Sequence, residues 1–301
     1  MALKITRAAD PIKVERLNTV IYGPPGLGKT SLAFTANAPL LLDFDNGSHR
    51  AANRKDVVRV TDWTDVANIS ADDLAPFKTV IVDTAGRALD AITADIIRTD
   101  PKGHKNGALT LPGYGTLKTR FTTFLKLLNS FGKDVVLIAH MDEQRSGDDL
   151  IERLDVQGGS KGEIYKAADA MGRLSMSNGK LLLRFSPSDA AFGKNPGQLP
   201  PLDVPHCDKP EFAGFLADVI QRTKDRLNAG AEDQQKASAE QEWFRSILPS
   251  VDSADHLNGL LGRASQAGRA SKIMVNERAT ALGLIFDKAK GLYVEKQKEA
   301  A

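Results

Sequence analysis

The sequence predicts an α/β fold: a mainly parallel sheet between helices, built round a phosphate-binding loop, with a small α-helical domain at the C-terminal end. Three observations predict it. The apolar run Val20–Ile21–Tyr22 leads into Gly23-Pro24-Pro25-Gly26-Leu27-Gly28-Lys29-Thr30, which satisfies the pattern G-x-x-x-x-G-K-[ST]. Further short runs that are apolar throughout, Leu40–Leu42, Val80–Val82 and Val135–Ala139, alternate with helical patterns, as expected of strands covered on both faces. These runs end in Asp43 and Asp45, in Asp83 and in His140, and the C-terminal ends of parallel strands form the edge where ligands sit.

The loop comes first. Its glycines let backbone N–H groups curl round phosphate oxygens, and the helix that opens at Ser31 turns the positive end of its dipole towards them. Pro24 and Pro25 fix φ and lower the entropy of the loop. Gly23, Pro24, Pro25, Gly26, Leu27, Gly28, Lys29, Thr30 and Ser31 are therefore the expected nucleotide-binding residues. Lys29 would reach the β- and γ-phosphates of ATP, and the Thr30 hydroxyl would ligate Mg²⁺.

The remaining elements follow in order. Residues 1–16, interrupted by Pro11, read as an arm or edge strand, and Leu17–Tyr22 as the first core strand. A second strand ends at the turn Asn46-Gly47, and Val57–Val60 forms a short one. Helices are expected at Trp63–Leu74, Arg87–Arg98 and Leu117–Phe131, the last from apolar positions 117, 121, 124, 125, 128 and 131. Met171–Met176 and Lys180–Phe185 flank Ser177-Asn178-Gly179, a hairpin that adds antiparallel strands. After a helix over Phe212–Leu227, the polar stretch 229–239 reads as a linker, followed by helical patterns at 240–248, 254–265 and 268–283. The expected division is an ATPase core over 1–228 and a linker with a helical domain over 229–301.

Composition sets limits. With 301 residues, 42% of them apolar and 26% charged, the chain is an ordinary globular protein, and a net charge of +2 points to no partner by itself. One cysteine, Cys207, excludes a disulfide framework and a cysteine-rich metal site, and fits a reducing cytoplasm. No apolar run approaches the roughly 20 residues that span a bilayer, so no membrane is expected among its partners.

Several side chains are candidates for chemistry. Asp83 ends its strand as a magnesium-side carboxylate should, opposite Thr30. Thr84 follows it where many AAA+ ATPases carry the water-activating Glu, so another carboxylate is needed. Asp45 lies on the same edge and is a candidate general base; the alternative is that it only caps the turn at Asn46-Gly47. His140 could hydrogen-bond the γ-phosphate and relay nucleotide state into the following loop. Residues 101–133 hold Lys102, Lys105, Lys118, Arg120, Lys126 and Lys133 with no acid, a composition suited to a polyanion. Gly103, Gly107, Gly113 and Gly115 would keep the loop mobile, and Tyr114 could stack on a base. Gln157–Gly162, with Lys161, is a second flexible basic segment.

The runs IYGPPGLGKTSLA, LLLDFDNG, VIVDT and VLIAHMDE together resemble the phage-encoded RecA-like ATPases, a group that includes single-strand annealing proteins of phage recombination. The resemblance covers residues 17–203. It implies a RecA-type core that binds ATP through Gly28, Lys29 and Thr30 with Asp83 on the magnesium side. It also implies single-stranded DNA as ligand, and assembly of the chain with itself into a ring or filament. A single-strand-binding protein is a further implied partner. Asp45 stands where these proteins have a catalytic glutamate, one methylene longer, and His140 where they have a polar γ-phosphate sensor. The run Ala191-Phe192-Gly193-Lys194-Asn195 resembles the segment whose lysine reaches a neighbouring subunit's ATP, which makes Lys194 a candidate trans-acting finger. Two other readings share the loop. One is an ATP-gated adaptor or loader whose helical tail binds another protein. The other is a signal-recognition-type GTPase, from Asp83-Thr84-Ala85-Gly86-Arg87, which would need an [NT]-K-x-D guanine reader where the chain has Ala139-His140-Met141-Asp142.

Overall fold

The strand β1 (Asn18–Gly23) lies in the middle of the main sheet and is buried from Thr19 onwards. In the computed structural model, which describes residues 5–6, 10, 12–146, 149–156 and 161–296, β1 pairs in parallel with β7 (Asp134–Ser146) on one side and β9 (Ala170–Ser177) on the other. Beyond β7 come β4 (Thr79–Asp83), β2 (Pro39–Asp43) and β3 (Asp56–Arg59), all parallel. Beyond β9 the sheet turns antiparallel through β10 (Lys180–Arg184) and β11 (Leu202–Asp203). The expected hairpin is present, with Asn178 and Gly179 at positive φ as a tight two-residue turn requires.

Burial on both faces explains why these strands are apolar at every position. Val20 and Tyr22 enter one core with Val80, Val82 and Leu137, whereas Ile21 enters the opposite one with Ile81, Val136 and Ile138. Helices α3 (Ala85–Thr99) and α4 (Leu111–Ser130) cover the first face. The first turns of α6 (Phe215–Ile247) cover the second, where Leu216, Val219 and Ile220 pack with Leu32 and Phe34.

Four local expectations are corrected. The helix expected over Trp63–Leu74 is α2, Thr64–Ala67 only. Gly113 and Gly115 do not lie in a mobile loop: α4 begins at Leu111, with Thr110 as N-cap accepting from the Gly113 N–H and Pro112 in the first turn. Gly113 is required because a Cβ there would stand 1.9 Å from the Gly103 carbonyl oxygen. The stretch after His140 continues as strand, β7 pairing with β8 (Asp149–Leu154) in a hairpin that leaves the sheet. Residues 229–239, read as a linker, are helical within α6, consistent with the high helix propensity of their Ala, Glu, Gln and Lys.

The chain divides into two compact units, Val14–Leu227 and a smaller one holding 228–301 with residues 1–13. In the smaller unit α7 (Ala254–Gly259), α8 (Leu261–Ala267) and α9 (Arg269–Ala281) enclose Leu257, Ala264, Val275 and Ala279. A hairpin that the sequence pattern does not announce, β12 (Leu284–Asp287) and β13 (Leu292–Glu295), adds Tyr293 to that core. Among the described residues no helix is long and apolar enough to cross a membrane.

Candidate nucleotide site

Strand register brings the candidate residues to one edge. Gly23 pairs with His140, Asp83 with Ile138, and Asp43 with Asp83, so the ends of β1, β4 and β2 lie side by side with the His140 stretch of β7. The loop then turns into α1 (Lys29–Ala33), with Gly26 and Gly28 at φ +81° and +76°. Gly23 is held to glycine by space: a Cβ there would stand 2.3 Å from the Leu174 carbonyl oxygen.

The Lys29 ammonium donates to the carbonyls of Gly23 at 2.9 Å and Pro24 at 2.8 Å, which folds the side chain back over its own loop. Thr30 donates its hydroxyl hydrogen to Asp83 at 2.6 Å. These two oxygens suit a hard cation such as Mg²⁺, and Thr30 and Asp83 are the residues that would hold it. Burial lifts the Asp83 carboxyl to about 6. Burial also lowers the Lys29 ammonium to about 8, against the pull of Asp83 and Asp45. A cavity of about 250 Å³ opens in front of them, bounded by Gly26, Gly28, Asp45, Arg50, Asp83 and His140.

A pH dependence follows for metal-free binding of inorganic triphosphate. Bound polyanion raises the Lys29 pKa, so Lys29 itself takes up no proton on binding below about pH 8, where it is already protonated in the free protein. Above that, each binding event must take up a proton, and affinity is expected to fall by up to about tenfold per pH unit. Titration calorimetry between pH 6 and 9.5 checks it; a flat profile would show that Lys29 does not face the polyanion.

The two acids after β2 separate clearly. Asp43 is fully buried and accepts the backbone N–H groups of Gly47 at 3.1 Å and Ser48 at 3.0 Å, so Asp43 caps the turn. Asp45 instead faces the cavity, 28% exposed, with Arg87 at 3.4 Å and Arg50 at 3.9 Å. The sequence pattern assigns neither arginine to Asp45, although Arg87 closes the Asp83–Arg87 element. A usable signal was there: Arg50 follows the Asn46-Gly47 turn, and Arg87 stands one helical turn beyond Asp83.

His140 lines this cavity and also a neighbouring one of about 260 Å³ shared with Asp45, Arg87, Asp90 and Asp155. Its Nδ1 is buried and has no hydrogen-bond partner among the described residues. Burial, and Lys29 nearby, hold its pKa below the usual histidine value, so the ring is neutral at pH 7 and has an unused polar atom to offer.

A protein-family model described as an AAA domain matches residues 15–196, more than half of the chain and all of the residues just described. The chain belongs to the AAA domain family. Comparison with curated proteins returns no match. Family membership places this AAA domain among P-loop ATPases, with nucleotide as ligand and Mg²⁺ as the usual metal.

The other candidate residues of the AAA domain chain meet mixed outcomes. Lys194 does not project as a finger. Its ammonium donates to the carbonyls of Tyr165 and Ala168, both at 2.6 Å, while its backbone forms a bridge with Met171. Two carbonyls converging at the end of α5 (Lys161–Ala167) satisfy the charge internally. Lys194→Ala is thus expected to lower unfolding stability by about 1–3 kcal/mol, the cost of leaving such groups unpaired; a urea titration with an unchanged midpoint would contradict the internal role.

The basic segment is less free than its own sequence implies, because acids arrive from elsewhere. Lys118 pairs with Glu163 at 3.0 Å, Arg120 binds Asp95, and Lys133 is buried, donating to the Phe77 carbonyl at 2.7 Å. Lys102, Lys105 and Lys126 are exposed and in no ion pair among the described residues, and Tyr114 is 48% exposed. The turn that carries β5 (His104–Lys105) and β6 (Ala108–Leu109) is fastened to the start of α4 by Thr110, which donates to the Lys102 carbonyl. Lys161 opens α5 half-buried, and residues 157–160 of the second flexible segment lie outside the described residues.

Proposed function

We propose that this ATPase is a nucleotide-driven, RecA-like switch that grips single-stranded DNA, in annealing or recombination of the kind phages carry out. The observation that carries this reading is the continuity of β7. One unbroken strand runs from the core, through His140 in the γ-phosphate cavity, into the β7–β8 hairpin beyond the sheet edge. A hydrogen bond made or broken at His140 would bear directly on that hairpin. The exposed cations Lys102 and Lys105, with Tyr114 one turn into α4, supply phosphate contacts and a stacking surface.

On this reading Asp45 orients the attacking water, Lys29 neutralises the β- and γ-phosphates, and His140 reports their presence. Thr30 and Asp83 would hold the Mg²⁺, which would supply positive charge to the phosphates. Further copies of the chain, and a single-strand-binding protein, are the proposed partners. The test is single-stranded DNA affinity with and without a non-hydrolysable ATP analogue. A rise with the analogue supports the switch, and equal affinities defeat it. Replacing Lys102 and Lys105 by Ala should weaken binding uniformly across sequences and reduce the slope of log affinity against log salt by about one for each lysine replaced.

One observation favours a second reading, the ATP-gated adaptor. Ile273 and Phe286 of the smaller unit are each more than 40% exposed and line one cavity, an apolar patch fit for a protein contact.

A further inference from the structure

The smaller unit carries a groove that the nucleotide chemistry does not use. It has a volume of about 560 Å³ and lies between α8, α9 and the β12–β13 hairpin. Its floor is core: Ala264, Val275 and Tyr293 are each buried in the cluster that holds this unit together. Its walls reach solvent, with Ile273 48% and Phe286 47% exposed. The hairpin side is fixed in place. The Asn258 side chain accepts from the Tyr293 N–H at 2.7 Å and donates to the Tyr293 carbonyl at 2.9 Å, and Phe286 packs edge-to-face on the Tyr293 ring at 5.1 Å.

Charge decides what such a groove suits. Arg269 and Lys272 line it, three residues apart and so on one face of α9. Both are exposed and in no ion pair among the described residues, and no described carboxylate lines the groove. Gly268 before them offers α9 no side-chain cap, and no acid stands in its first turn, so the local field is positive. A purely apolar partner would bury two unpaired charges, which is costly. A nucleic-acid strand would meet two cations over a floor of buried side chains, with the Phe286 ring already packed on Tyr293. A partner that carries carboxylates next to apolar side chains satisfies both halves of the groove.

We propose that this groove docks an acidic peptide segment of another protein, whose apolar side chains lie between Ile273 and Phe286 and whose carboxylates meet Arg269 and Lys272. The proposal rests on the adaptor reading for a protein as the partner, and adds the place of the contact and the chemistry of what fills it.

Peptides selected from a random displayed library on the immobilised full chain, then labelled and titrated by fluorescence polarisation, provide the test. They are expected to combine Asp or Glu with Leu or Phe, and to bind less tightly as salt rises. Ile273→Asp should weaken them about tenfold or more, the scale of a central contact. Arg269→Glu together with Lys272→Glu should do the same, and the same peptides with Lys in place of their acids should bind that double variant better than the parent. All three positions are exposed, so the fold has little stake in them, and thermal unfolding verifies it. Selected peptides without acids, no selected peptides, or equal binding by parent and variants overturns the site. A deoxythymidine oligonucleotide that binds the parent and is weakened by Ile273→Asp overturns it in favour of a nucleic acid. Each titration is repeated with a non-hydrolysable ATP analogue. Equal affinities with and without it defeat the gating of the adaptor reading while the docking site stands, whereas peptides that respond to the analogue and ignore Ile273→Asp keep the adaptor and remove this site.

Discussion

Lys29→Ala is expected to lower affinity for ATP by about 100-fold, or about 2.7 kcal/mol, while the protein stays folded. Two charge-assisted hydrogen bonds to phosphate oxygens, each worth about 1.5–3 kcal/mol, set this size, less the cost of giving up those that Lys29 already makes. Those present bonds, to the Gly23 and Pro24 carbonyls, hold the side chain over the loop in position to receive the ligand. With its pKa lowered to about 8, the ammonium is still about nine-tenths protonated at pH 7, so the positive charge is there to be removed. Titration of a fluorescent ATP analogue measures the drop in affinity, and thermal unfolding verifies the fold. A variant that binds as tightly as the parent would show that the phosphate loop does not hold the nucleotide.

Asp45→Asn is expected to cut hydrolysis by about 10²–10⁴-fold, the usual worth of a positioned general base, without loss of binding. The sign of the binding change separates this role from a structural one. Removing a negative charge beside the γ-phosphate position should tighten ATP modestly, and the freed Arg87 and Arg50 should add to that. Their ion pairs with Asp45 are exposed and contribute little to stability, so unfolding should hardly change. Asp43→Asn should behave in the opposite way. Its carboxylate is fully buried and accepts two backbone N–H groups, so the amide, with one acceptor fewer, would destabilise the Gly47–Ser48 turn. Single-turnover hydrolysis alongside unfolding for both variants settles the pair. Normal turnover by Asp45→Asn would assign the water to another group, and His140 and Asp155 would be the next to replace.

Much of the nucleotide site can be read before any fold is seen, because its chemistry is written in contiguous residues. A phosphate loop needs glycines and a lysine at set spacing, and the runs before Asp83 and His140 declare themselves as strands by being apolar at every position. The hairpin at Ser177-Asn178-Gly179 is legible for the same reason, since a two-residue turn with positive φ has its own composition. The start of α4 is not legible in that way. The cap at Thr110 and the approach of Gly103 to Gly113 involve contacts that glycine content alone does not reveal.

What the sequence determined by itself was the sheet, the phosphate loop and the set of polar residues delivered to one edge. Which member of that set does what was decided only by tertiary structure. Two carboxylates, Asp43 and Asp45, stand two residues apart at the end of one strand, yet one is sealed under a turn and the other faces the cavity. Lys194 looks available in its local run and is held by carbonyls some thirty residues before it, and Lys118 looks unpaired until Glu163 is folded against it. The physical reason is range. Backbone propensity and hydrophobic burial act through neighbours in sequence, whereas a charge responds to whatever the fold brings within a few ångströms, and that partner leaves no mark in the local pattern.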